Sequence, residues 1–210
     1  MKKADIDTFF SILKQHNEAP QTELMFINHY QLLTSVILSA QATDISVNKA
    51  TKPLFEFVKT PEDMIQLGED ALITYIKSIG LYRAKAKHII QMSEQLINHF
   101  NSEVPSTLSE LQSLPGVGRK TANVVLNEAF GIPTIAVDTH VFRVSNRVGL
   151  AKGKTPDQVE LKLMKVVPKQ YQLHAHHWLI LHGRYICTAR SPHCTDCPVF
   201  DLCGFKSKSN

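Results

Sequence analysis

At 210 residues the chain is long enough for one or two domains with a sizeable core, since folding at this length removes roughly 70% of the unfolded chain's surface from water. Its 43% hydrophobic and 20% charged content excludes a disordered tail or a fibre, and only 9 glycines and 10 prolines favour long helices over a turn-rich sandwich. The net charge of +4 is too mild to name a partner, and the absence of any run of about 18 apolar residues excludes a helical membrane span.

The predicted elements are helical nearly throughout. Ile6, Phe9, Phe10 and Leu13 recur at the spacing of one helix face. Thr60-Pro61-Glu62-Asp63 combines an N-cap, a first-turn proline and two acids, and Gly68 closes that short helix. Leu72, Ile73, Ile76 and Ile79 form a further face ended by Gly80, and Ala86, Ile89, Ile90 and Ile97 another. Leu108, Leu111 and Leu114 precede a Pro115-Gly116-Val117-Gly118 turn, after which a helix runs from about Gly118 to Phe130. Ile132 to Val137 is the one strand-like stretch, short and interrupted by Pro133. Thr139 to Gly149 is helical behind Asp138, and Thr155-Pro156-Asp157 starts the next helix. The expectation is an all-α chain of about ten helices joined by short loops. Composition alone places no domain boundary. Met1-Lys2-Lys3-Ala4-Asp5 begins no apolar signal stretch, so a cytoplasmic, nucleoid-associated protein without stable disulfides is expected.

The glycine hairpin carries the first functional signal. Two helices joined in this way leave backbone N–H groups unpaired at the start of the second. Glycine lets a phosphate approach them, and the helix dipole favours an anion there. Such a hairpin grips a nucleic-acid backbone without reading sequence. Arg119 and Lys120 adjoin it, and between Gln112 and Lys154 the bases Arg119, Lys120, Arg143, Arg147, Lys152 and Lys154 outnumber Glu128 and Asp138, a local basic face suited to a polyanion. Lys120, in the first turn of the second helix, is either a phosphate contact or a nucleophile whose amine attacks a sugar carbon. Asp138 is either an ordinary N-cap or a functional carboxylate, set where a negative charge opposes DNA binding.

Cys187, Cys194, Cys197 and Cys203 are the only cysteines, spaced C-x6-C-x2-C-x5-C. Buried structural thiols would scatter along a chain, so this clustering points to a metal. Zinc and an iron–sulfur cluster both remain open on spacing, which matches neither paired zinc knuckles nor the ferredoxin run. His193 is a loop histidine or a substitute ligand. Arg190 is a phosphate contact or a solvated charge, and Arg184 lies just before this loop.

Taken together, Leu38-Ser39-Ala40-Gln41-Ala42-Thr43-Asp44, Gly80-Leu81-Tyr82, Leu114 to Ala122, Val137 to Val141, His182-Gly183-Arg184 and the cysteine loop resemble the endonuclease III family of bifunctional DNA glycosylase/AP lyases. The likeness spans about Leu33 to Cys203. It implies two helical domains in the helix–hairpin–helix glycosylase architecture. A six-helix domain would occupy residues 22–133, and residues 1–21 with 134–210 would form a cluster-bearing domain, with DNA over the groove between them. It implies a [4Fe–4S] cluster on the four cysteines. It further implies Lys120 as nucleophile and Asp138 as essential carboxylate, on either side of that groove. Gly116, Val117, Gly118, Arg184 and Arg190 would bind DNA, and Gln41 and Leu81 would fill the gap left by an extruded nucleotide. The implied partner is double-stranded DNA holding damaged pyrimidines or abasic sites, bound by a monomer with no membrane association. Ser191 and Pro192 follow Arg190 where the family often carries a second basic residue, which weakens phosphate anchoring by that loop. The rival readings are a monofunctional glycosylase of the same superfamily and a non-catalytic, zinc-stabilised binding module.

Overall fold

The computed structural model describes residues 1–206. These form eleven α-helices and no strand: α1 Lys3–His16, α2 His29–Ser39, α3 Asp44–Leu54, α4 Pro61–Leu67, α5 Glu69–Ile76, α6 Tyr82–Phe100, α7 Leu108–Ser113, α8 Arg119–Phe130, α9 Thr139–Val148, α10 Pro156–Val166 and α11 Lys169–Leu181. A π-helical turn, His182–Ile186, continues α11. The Ile132–Val137 stretch is an irregular connector; an isolated extended segment has no ladder to join. Among the described residues no helix is long and apolar enough to cross a membrane.

The chain divides into two compact units, Glu23–Phe130 and a second made of Met1–Thr22 with the segment from Gly131 onward. The first contains α2 to α8. Its helices start where the sequence offers side-chain caps. Asn28, Thr43, Thr60 and Thr107 accept from the amides of Gln31, Ser46, Asp63 and Glu110 respectively, and Asp63 returns a bond to the Thr60 amide. Helix α2 is buried on nearly every side, from Tyr30 to Leu38, and packs against α3, α6 and α8. Seven helical segments are present where six are expected, because Gly68 at φ 79° both ends α4 and precedes α5. Glycine adopts that φ without the Cβ clash other residues meet.

The second unit is built around α1. Phe9 and Phe10 are fully buried among residues of α9, α10 and α11, at roughly 1.5–3 kcal/mol each of hydrophobic stabilisation. Phe10 stacks on Tyr171 at 5.7 Å, and the Trp178 indole Nε1 donates to the Asn17 carbonyl at 2.7 Å. The amino terminus donates to the Gly149 carbonyl at 3.0 Å. The first helix is thereby tied to a segment more than a hundred residues away in the chain.

Candidate nucleic-acid interface and metal centre

The hairpin between α7 and α8 is a tight turn of the type II pattern. Pro115 takes its second position and Gly116, at φ 79°, its third, while the Val117 amide donates to the Leu114 carbonyl at 3.1 Å. A Cβ on Gly116 would lie 3.0 Å from His88 Cβ and 3.3 Å from its ring, so glycine is required for space as well as for φ. The exposed Gly116 and Gly118 have no partner for their amides among the described residues. Val117 differs from expectation. Its side chain is buried and its amide is used inside the turn, so it anchors the hairpin and does not present a group to a phosphate. Lys120 is exposed in the first turn of α8, and among the described residues nothing bonds its amine.

Gln41 and Leu81 are both exposed and both left-handed, at φ 56° and 59°. Left-handed residues other than Gly, Asn and Asp are uncommon, and such strain gathers at functional sites. Leu81 leaves 61% of its surface to solvent, far more than a leucine of the core. The two loops are neighbours: a Cβ on Gly80 would lie 3.9 Å from the Gln41 carbonyl oxygen.

Asp138 is half-buried and caps α9. Its Oδ1 accepts from the amides of His140 at 2.9 Å and Val141 at 2.8 Å. Both bonds converge on one oxygen, and Oδ2 has no hydrogen-bond partner among the described residues. The connector leading into Asp138 is held from α11, where His176 Nδ1 bonds the Ala136 carbonyl at 2.7 Å, a link with no signal in the sequence.

The four cysteines, all partly buried, line one pocket together with Val148, His182, Ile186 and Phe200. Burial pushes the Cys197 thiol up, and the other three sulfurs add to the shift. A cationic group binding thiolates would relieve this. Among the described residues no three His, Cys, Asp or Glu groups converge on the point one metal ion would occupy. Four thiols that share one pocket without three of them meeting at a single ion position suit a polynuclear iron–sulfur group, whose irons are ligated one by one, better than zinc. His182, with Nε2 3.8 Å from Cys197 Sγ, is pulled down by burial to about 4 and stays neutral against the sulfurs. His193 is an exposed loop residue at the cavity rim; its amide donates to the Ile186 carbonyl at 2.9 Å.

The cysteine loop is braced by α9. Arg143 donates to the Cys187 and Gly183 carbonyls at 3.0 and 2.7 Å, and Arg147 to the Thr188 and Ala189 carbonyls, both at 2.6 Å. Arg147 also reaches Cys187 Sγ at 3.8 Å. These two bases, read from sequence as part of a basic face for a polyanion, are spent on protein carbonyls instead. Gly183 permits the close packing, since a Cβ there would lie 2.9 Å from His140 Cβ. Arg184 is half-buried and Arg190 exposed.

Residues 34–169 match the model of the HhH-GPD superfamily base excision DNA repair protein, and residues 187–203 that of the iron–sulfur binding domain of endonuclease III. Endonuclease III of Rickettsia conorii is 55% identical over 205 residues, covering 98% of both chains. That of Escherichia coli K12 is 54% identical over 208 residues, 99% of both. A solved trapped endonuclease III–DNA covalent intermediate superimposes with a TM-score of 0.91 at 46% identity, over 97% of this chain and 96% of that one. The chain belongs to the endonuclease III family of base-excision DNA repair proteins, with a [4Fe–4S] cluster as its cofactor.

Proposed function

We propose that this base-excision DNA glycosylase removes oxidised pyrimidines, such as thymine glycol, through a Schiff base at Lys120 and then cleaves the strand 3′ to the abasic site by β-elimination. The observation that carries the reading is an unencumbered primary amine in the first turn of α8, directly after a hairpin whose two glycine amides are unpaired. The capture of a relative 46% identical as a covalent intermediate with DNA supports it.

The steps follow from the groups present. The amides of Gly116 and Gly118, at the positive end of α8, hold a backbone phosphate. The damaged nucleotide leaves the stack, which costs a few kcal/mol and least for a damaged base. Gln41 and Leu81, exposed and strained, fill the space it leaves. The Lys120 amine attacks C1′ as the bond from C1′ to the base breaks, and the base departs with a proton. Asp138, with Oδ2 open, stabilises the positive charge on the sugar and takes a proton from the amine or from C2′. The C1′–O4′ bond then opens, with a proton going to O4′, and leaves the Lys120 iminium at C1′. Loss of the C2′ proton from this Schiff base breaks the C3′–O bond and releases the strand on that side with its phosphate, and water hydrolyses the imine to free Lys120. Cys187, Cys194, Cys197 and Cys203 hold the cluster, which when bound cross-links their loop and supplies no electron to these steps. Arg184 and Arg190 add phosphate contacts from that region. The protein acts as a monomer on double-stranded DNA.

Borohydride reduction in the presence of abasic duplex DNA traps the protein on the DNA, and Lys120→Ala abolishes trapping while DNA binding persists. Trapping that survives the substitution moves the nucleophile elsewhere.

A further inference from the structure

Among the described residues Lys85 is the only buried lysine, 5% exposed on α6. Its amine leaves α6 altogether. Nζ donates to the carbonyl oxygens of Leu38 at 2.9 Å and Ala40 at 2.6 Å, across 47 and 45 residues of chain. Leu38 is in the last turn of α2 and Ala40 is its C-cap, so the ammonium sits at the negative end of that helix and satisfies carbonyls that the helix cannot. The peptide bearing the Ala40 carbonyl is also the one that leads into Gln41, so this bond holds the peptide plane on which the Gln41 φ of 56° depends. The main chain of the same residue acts on the other loop: the Lys85 amide donates to the carbonyl of Leu81 at 3.0 Å, where φ is 59°. That amide bond is the first of α6, so the Lys85 side chain ties the helix that begins at Leu81 to the end of α2 that leads into Gln41. Burial pulls the amine below the usual lysine range, a cost that the two charge-assisted hydrogen bonds offset.

We propose that Lys85 is a positioning residue that locks the Gln41 and Leu81 loops in the conformation from which they enter the duplex, so that nucleotide extrusion depends on a group that never touches DNA. This rests on the reading of Gln41 and Leu81 as gap-filling residues.

The test uses the full-length protein with its cluster and a duplex carrying a tetrahydrofuran abasic analogue opposite 2-aminopurine. Insertion of the loops is read as the fluorescence change at saturating protein, with affinity for the undamaged duplex measured in parallel. Lys85→Met removes the charge and keeps the length of the side chain. It is expected to lose at least fivefold of the fluorescence change and at least tenfold of the preference for the lesion, while undamaged-duplex affinity stays within twofold because the hairpin is untouched. Lys85→Arg restores the charge and both donors and is expected to recover at least half of the response. A folded Lys85→Met protein with the full response overturns the proposal. If Lys85→Met does not fold, Lys85→Arg decides: a folded Arg variant with no response overturns it as well. The Gln41→Ala/Leu81→Ala double variant separates the two layers. Loss of the response in that variant alone leaves the gap-filling reading standing and removes Lys85 from it. A full response in the double variant removes the gap-filling reading, and the role of Lys85 with it.

Discussion

At the scale of single residues, two of the site groups do two jobs each, and substitutions separate them. Asp138 caps α9 through Oδ1 and has Oδ2 left over. Asp138→Asn retains a carbonyl oxygen for the cap, so thermal unfolding is expected to change little while single-turnover base release falls by about 10²–10⁴, the range of a lost proton-transferring or charge-stabilising group. Asp138→Ala loses the cap too and is expected to cost about 1 kcal/mol of stability in denaturant titration. Near-normal turnover in Asp138→Asn would reduce the residue to a helix cap. Gly116 is bound by its φ of 79° and by His88 at 3.0 Å. Gly116→Ala is expected to lower stability by about 1 kcal/mol or more and to weaken duplex binding several-fold in an anisotropy titration, since the hairpin must shift to admit a methyl group.

At the scale of elements, the cysteine loop and the α4 cap make separate predictions. The loop after the π-helical turn has little regular structure, and Arg143 and Arg147 hold its carbonyls from α9. The purified protein is expected to be yellow-brown with about four irons per chain, the count of the cluster. Stripping the iron is expected to raise amide exchange across residues 188–196 without raising it in α2 or α6. A colourless protein holding one zinc would overturn the cluster. In α4 the Asp63 carboxyl lies below the usual carboxylate range, chiefly because the Lys59 amide donates to it and then because the Thr60 amide does. A carboxyl depressed in the folded state stabilises above its unfolded pKa, and that contribution is lost as pH falls through the folded value. The Tm is therefore expected to drop as pH is lowered below about 4, and to drop less in Asp63→Asn, which keeps an acceptor for both amides but cannot titrate.

At the scale of the whole molecule, the net charge of +4 gives little long-range attraction, and binding to DNA rests on local phosphate contacts. Affinity is expected to fall linearly on a log–log plot against salt, as condensed counterions are released. Lys120→Ala is expected to reduce that slope by at most about one charge. A salt-independent affinity would count against backbone contacts as its main source.

Most of the fold and the outline of the site were legible in the chain because their signals are local. Caps such as Thr60 and Asp138, the face Ile6-Phe9-Phe10-Leu13, the glycine hairpin and the cysteine spacing all act over a few residues, where backbone preference and periodicity decide the outcome. The tertiary structure decided what depends on residues forty or more apart. It took Arg143 and Arg147 from a presumed polyanion face to the carbonyls of the cysteine loop, set His176 against Ala136, and buried Lys85 under the end of α2. Charge and side-chain length in a sequence say that such a group needs a partner; only packing determines which carbonyl comes within reach.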